Sequence, residues 1–177
     1  GNKKIGLDYP TYFIADISAN HDGSLTKAKE LIHLCAEAGS NAAKFQNFTS
    51  DSLICDSAFR KIGNISHQSE WKESVFEAYN KASIPLDWSP QLKEECDKAK
   101  IDYFTSPYKL DFIDKLEKYV CAWKVGSGDI TYHDAIKKMA KQKKPIILAT
   151  GASNIEETKK AVNLALKFNK DVVLMQC

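Results

Sequence analysis

The chain has 177 residues, 44% hydrophobic and 27% charged, and its 25 Lys and Arg against 23 Asp and Glu leave a formal net charge of +2. That composition is globular: it excludes disorder, collagen and coiled coil, and a balance this near neutral supplies no basic field of the kind that binds nucleic acid. The longest apolar runs, such as Pro145 to Ala149 and Val172 to Met175, fall far short of the roughly 20 residues a membrane helix needs. The start carries no secretory apolar core, and five scattered cysteines form no C-x-x-C pair, so a reduced, cytoplasmic setting without disulfides or a zinc knuckle is expected.

In chain order, a β-type run over residues 12–18 is followed by Ser24, which can cap a helix carrying Ala28, Leu31, Ile32, Cys35 and Ala38 at helical spacing until Gly39 stops it. A second strand is predicted over 41–47, then a long loop over 48–67 and an extra helix around Trp71, Val75, Phe76 and Tyr79. Ser89-Pro90 reads as an N-cap followed by proline at the first helical position, with Leu92, Cys96 and Ala99 inward. Strands over 101–107, 122–127, 145–150 and 171–177 complete the series. Between them lie the stripe Phe112, Ile113, Leu116, Tyr119, the stripe Ala135, Ile136, Met139, Ala140, and a capping box at Ser153-Asn154-Ile155-Glu156. The stripes read as core. Alternating β and α elements predict a parallel sheet with helices outside it. Two closures compete, a doubly wound open sheet and a (β/α)8 barrel, and the lack of a G-x-G-x-x-G after the first strand weakens the nucleotide-binding form of the former. Six βα units are about three-quarters of a barrel; on that reading the chain stops two strands early.

Polar residues crowd the C-terminal ends of the predicted strands, where barrel enzymes keep their chemistry. The first ends Asp16-Ile17-Ser18-Ala19-Asn20-His21-Asp22-Gly23. In the second, Lys44 and Gln46 share one face and Phe45 points to the other. A lysine inside a buried strand must find an anion or shift its pKa, so Lys44 reads as functional, with a structural ion pair as the alternative. The fourth strand repeats the device in Lys124-Val125-Gly126-Ser127-Gly128-Asp129. There the glycines admit a ligand to the backbone, Ser127 can donate to an oxyanion and Asp129 can act as acceptor or acid/base. Thr105-Ser106 and Thr150 add hydroxyls. Two interior lysines within a ring of hydroxyls describe a pocket for a small phosphorylated or carboxylated molecule. His33 and His133 read as surface residues, and His21 as either fixing its loop or touching substrate.

These stretches together resemble the sialic acid synthase family. The resemblance rests on Ile14-Ala15-Asp16-Ile17 with Asn20-His21-Asp22-Gly23, Ala43-Lys44-Phe45-Gln46, Phe104-Thr105-Ser106-Pro107-Tyr108, Trp123 to Ile130, Pro145 to Gly151 and Val172 to Cys177, in family order along nearly the whole chain. It implies a (β/α)8 barrel, with these residues as its N-terminal portion, that condenses phosphoenolpyruvate with an N-acyl hexosamine to give a nonulosonate and phosphate. It also implies a divalent metal, Mn2+ or Mg2+, as Lewis acid, and a homodimer in the full-length protein. Carried over residue by residue, Lys44 and Lys124 face the phosphate and carboxylate with Ser106 and Ser127, Gln46 and Asp129 face the sugar, and Asn64 matches a sugar-binding asparagine. Lys44, Lys124, Asp129 and Asp16 carry over as the catalytic set. Asp16 stands where the family has Glu near the metal-bound water, which shortens its reach, Asp129 likewise stands where many members have Glu, and Ala149 replaces a phosphate-contacting serine, leaving Thr150 as substitute. The family's two metal-binding histidines and its C-terminal antifreeze-like domain lie beyond these residues. Two rival expectations remain: a Schiff-base aldolase using Lys44 or Lys124, and a non-catalytic barrel fragment that binds anions.

Overall fold

The computed structural model describes residues 3–62 and 71–177. Its six strands are β1 Ile14–Ser18, β2 Ala42–Asn47, β3 Asp102–Pro107, β4 Trp123–Val125, β5 Ile146–Ala149 and β6 Val172–Met175. All pair in parallel, and their spatial order is their chain order, β1-β2-β3-β4-β5-β6. A doubly wound sheet reverses strand order at a switch point. No reversal occurs here, so the strands build the curled wall of a (β/α)8 barrel, of which this chain supplies six βα units. Each strand lies within a residue or two of its predicted bounds.

The helices are α1 Leu25–Glu37, α2 Ser50–Leu53, α3 Asp56–Ile62, α4 Val75–Ala82, α5 Trp88–Lys98, α6 Leu110–Leu116, α7 His133–Lys141 and α8 Ile155–Leu166. Helix α1 starts and stops where its residues direct: Ser24 Oγ accepts from the Lys27 N–H at 3.2 Å, and Gly39 at φ +85° lets Ser40 N–H turn back to Cys35 O at 3.0 Å. Three expectations are corrected. The segment expected as a long loop holds α2 and α3, 4 and 7 residues of mostly polar sequence, with Phe48 and Ile54 buried on either side of α2. Helix α5 begins at Trp88 with Asp87 as N-cap, so Pro90 sits third in the helix; the first-turn N–H groups have no intrahelical acceptor, and proline is tolerated there. The capping box of α8 lies one residue later, with Asn154 and Glu157 bonded reciprocally at 2.9 Å.

Strand alternation divides the side chains. On the outer face Phe45, Tyr103, Trp123 and Ile146 are fully buried under Ile32, Leu92, Ile113 and Ile136 of the helices, and the Phe45 and Tyr103 rings stand 5.8 Å apart. Burying this apolar layer is favourable by about 25 cal/mol per Å2 of surface removed from water. The inner face is thereby left to Asp16, Lys44, Gln46, Phe104, Ser106 and Lys124.

Candidate functional site

Lys44 Nζ lies 3.0 and 3.2 Å from the two carboxylate oxygens of Asp16, its register partner on β1. The lysine side chain is 7% exposed and the aspartate 61%. An ammonium carries three donors, and a carboxylate shared with water does not saturate a buried one. The second lysine, Lys124 on β4, donates to Val125 O at 2.8 Å. Burial holds its pKa below the ordinary lysine value, and the positive charge of Lys44 pushes it further the same way, against Cys177, Asp16 and Asp129. Both cations thus sit on one wall, close enough to repel. Ser106, between them on β3, is 2% exposed, and its Oγ has no hydrogen-bond partner among the described residues.

Strand β4 ends at Val125, short of the predicted Ser127, because Asp129 N–H turns back to Gly126 O at 3.0 Å and closes a 3-10 turn, Ser127–Asp129. Ser127 is partly exposed on that turn. The turn swings the Asp129 carboxylate over Gly126, where a Cβ would stand 2.8 Å from Asp129 Oδ2 and 3.6 Å from Tyr108 Oη. Gly126 therefore admits this chain's own side chains, whereas Gly128 is exposed with open space above it. Burial raises the Asp129 pKa above the usual carboxylate value, and Lys124 opposes the shift.

Gln46 completes the cluster: its Nε2 donates to Tyr108 Oη at 3.0 Å and its Oε1 accepts from Ser18 Oγ at 2.6 Å. Ser18 and Tyr108 are the residues that sequence reasoning did not select. Tyr108 lay at the end of a matched motif, while nothing local marks Ser18, whose role comes from a break in register between Asp16 and Ser18 on β1. Ser106, Tyr108, Lys124, Gly126 and Asp129 line one small cavity of about 10 Å3.

The other expected residues fall outside this cluster. Thr150 Oγ1 donates to Met175 O at 3.1 Å, which commits it to the β6 backbone. Asn64, like His67, lies outside the described residues. His21 is buried, accepts from Gly23 N–H at 3.1 Å and packs edge-on to Trp88 at 5.4 Å, with burial lowering its pKa; it fixes the loop after β1. His33 faces Glu95 at 3.0 Å on the surface. Among the described residues no three His, Cys, Asp or Glu side chains converge as a metal site. A larger cavity of about 580 Å3 opens at the opposite, N-terminal end among Leu7, Tyr12, Phe104, Ile147 and Val173. Its walls are mainly apolar, and Asp102 there accepts from Tyr12 at 2.6 Å.

Parallel strands in chain order, with ionisable and hydroxyl groups gathered at their C-terminal ends, define the wall of a (β/α)8 barrel. The chain belongs to the NeuB family, whose profile matches residues 31–177. It is 34% identical over 171 residues to pseudaminic acid synthase of Helicobacter pylori and 30% identical over 171 residues to N,N'-diacetyllegionaminic acid synthase of Campylobacter jejuni, covering 95% and 94% of this chain. These matches span 50% and 51% of the two relatives, so the chain corresponds to about half their length. The crystal structure of N-acetylneuraminic acid (sialic acid) synthetase from Leptospira borgpetersenii, in complex with citrate, superposes with a TM-score of 0.84 at 26% identity, over 100% of this chain and 57% of that one.

Proposed function

We propose that the intact protein condenses phosphoenolpyruvate with an N-acyl hexosamine, N-acetylmannosamine or a related sugar, to give a sialic acid-type nonulosonate and phosphate. The observation that carries this reading is geometric: the inner-face lysines Lys44, 7% exposed, and Lys124 flank the buried Ser106 hydroxyl, which has no hydrogen-bond partner among the described residues. An anion placed between them relieves the repulsion and takes the idle donors at once. The relatives named above are nonulosonate synthases, and the Leptospira enzyme was solved with the polycarboxylate citrate. On this reading Lys44, Lys124, Ser106 and Ser127 bind the phosphate and carboxylate of phosphoenolpyruvate, while Gln46 and Asp129 face the sugar. C3 of phosphoenolpyruvate attacks the open-chain aldehyde, water adds at C2, and phosphate leaves with C–O cleavage. The lysines hold the two anionic groups and stabilise charge as phosphate departs, and Asp16 holds Lys44 in place. The divalent ion belongs with ligands outside these residues, and the intact protein is read as a cytoplasmic homodimer.

In the intact protein, Lys44→Ala or Lys124→Ala should reduce phosphoenolpyruvate-dependent phosphate release by roughly 10²- to 10³-fold, the weight of a preorganised charge in the transition state. Near-normal turnover in both variants would remove these lysines from the assignment. A second reading, a Schiff-base aldolase, is favoured by one observation: burial lowers the Lys124 pKa, as a nucleophilic amine requires. Borohydride trapping of a Lys124 adduct, read by mass, would select it, and chelator-sensitive phosphate release would select the synthase. Calorimetric binding of phosphoenolpyruvate without turnover by the intact protein would leave an anion-binding barrel.

A further inference from the structure

We propose that Ser18 and Tyr108 are positioning residues that hold the Gln46 side-chain amide in one orientation toward the acceptor sugar, an inference that rests on the reading of this cleft as a nonulosonate synthase site. The three side chains form a directed chain, Ser18 Oγ donating to Gln46 Oε1 at 2.6 Å and Gln46 Nε2 donating to Tyr108 Oη at 3.0 Å. An amide between two hydroxyls can be satisfied either way round, since each hydroxyl donates or accepts. What breaks the tie is Asp129. Its carboxylate lies over the same Gly126 as the phenol, and an ionised carboxylate only accepts. Its negative charge acts on the phenol through space and favours the hydroxyl hydrogen on that side, which leaves Oη as the acceptor for Nε2 and turns Oε1 to Ser18. The resulting chain is polarised in one sense, and each bond strengthens the next.

Both outer members are rigidly placed. The Tyr108 ring stands edge-on to Phe48 at 6.1 Å and 86°, and its backbone N–H donates to Asn47 O at 3.0 Å. Ser18 sits at φ +54°, a left-handed conformation that glycine adopts freely and serine does not. Retaining a side chain there costs backbone energy, and the hydroxyl's bond to Gln46 is what that cost secures. With one Nε2 hydrogen and one Oε1 lone pair engaged, one donor and one acceptor of Gln46 remain in fixed directions for a polyhydroxylated ligand.

The test uses the intact protein with two variants that spare the fold: Tyr108→Phe keeps the ring, and Ser18→Gly relieves the left-handed backbone. The KM for N-acetylmannosamine should rise about tenfold in each, the weight of one oriented hydrogen bond, while the KM for phosphoenolpyruvate stays in place. In 15N-labelled protein, the Gln46 amide protons, assigned with Gln46→Ala, should exchange slowly in the wild type and faster in Tyr108→Phe. If the wild type releases no phosphate with this sugar, the acceptor reading fails and the exchange measurement alone decides the positioning role. Gln46 protons that exchange no more slowly in the wild type than in Tyr108→Phe overturn the proposal. So does, in an active wild type, any kinetic pattern other than a selective rise in the sugar's KM.

Discussion

Lys124 and Asp129 are displaced from their ordinary titration ranges in opposite directions, and each displacement has a measurable sign. Burial and the charge of Lys44 lower the Lys124 pKa, so its ammonium loses its proton below the usual lysine value of about 10.4. Phosphoenolpyruvate favours the charged form; its affinity, measured by calorimetry, should therefore fall as pH rises through that lowered pKa, and Lys124→Met should abolish this dependence. Asp129 has the reverse shift. Burial raises its folded pKa above the unfolded value of about 3.9, so its stabilising contribution is complete below that value and is lost as pH rises through the folded pKa. Asp129→Asn should thus raise Tm at pH 7, with the gain shrinking towards pH 4, even as turnover falls. Lys44, Lys124, Gln46 and Asp129 were legible as residues because a charged or amide side chain inside a strand pattern demands an explanation. Ser18 and Tyr108 were not, because a serine at the end of a strand or a tyrosine after a proline is ordinary until a neighbouring strand supplies its partner.

Short elements, not long ones, set the geometry of the cleft. The turn after β4 works because Gly126 has no side chain, yet its φ of −65° suits any residue. Gly126→Ala should therefore fold normally by circular dichroism. It should still lose roughly tenfold or more in kcat/KM, because a Cβ 2.8 Å from Asp129 Oδ2 forces that carboxylate aside. Destabilisation belongs instead to the outer face: Phe45→Ala, emptying a fully buried site between sheet and helices, should cost about 3–5 kcal/mol in denaturant unfolding. Long amphipathic helices such as α1 and α7 announced themselves through several repeats of one period. Helices α2 and α3, with 4 and 7 residues, are mostly polar in sequence, so no apolar stripe like that of the 7-residue α6 separates them from a polar loop.

Across the whole molecule, β1 and β6 each pair with one neighbour among the described residues, and Leu174 and Met175 are 51% and 37% exposed. Unpaired parallel edges beside exposed apolar side chains are templates for association. These 177 residues expressed by themselves should therefore self-associate, which sedimentation velocity would detect, and Leu174→Lys should reduce it. By itself the sequence determined the alternation of strands and helices, the buried stripes, and the two lysines that point into the barrel, because periodicity and the cost of burying charge are local properties written residue by residue. Periodicity left barrel wall and doubly wound sheet both open and only the family resemblance pointed to the barrel; the observed strand order shows the barrel wall, because order depends on how consecutive βα units pack. Tertiary structure alone decided that Asp129 folds over Gly126 and that Ser18, Gln46 and Tyr108 meet. Those contacts join residues 28 and 62 positions apart across three neighbouring strands, and only their register brings them together.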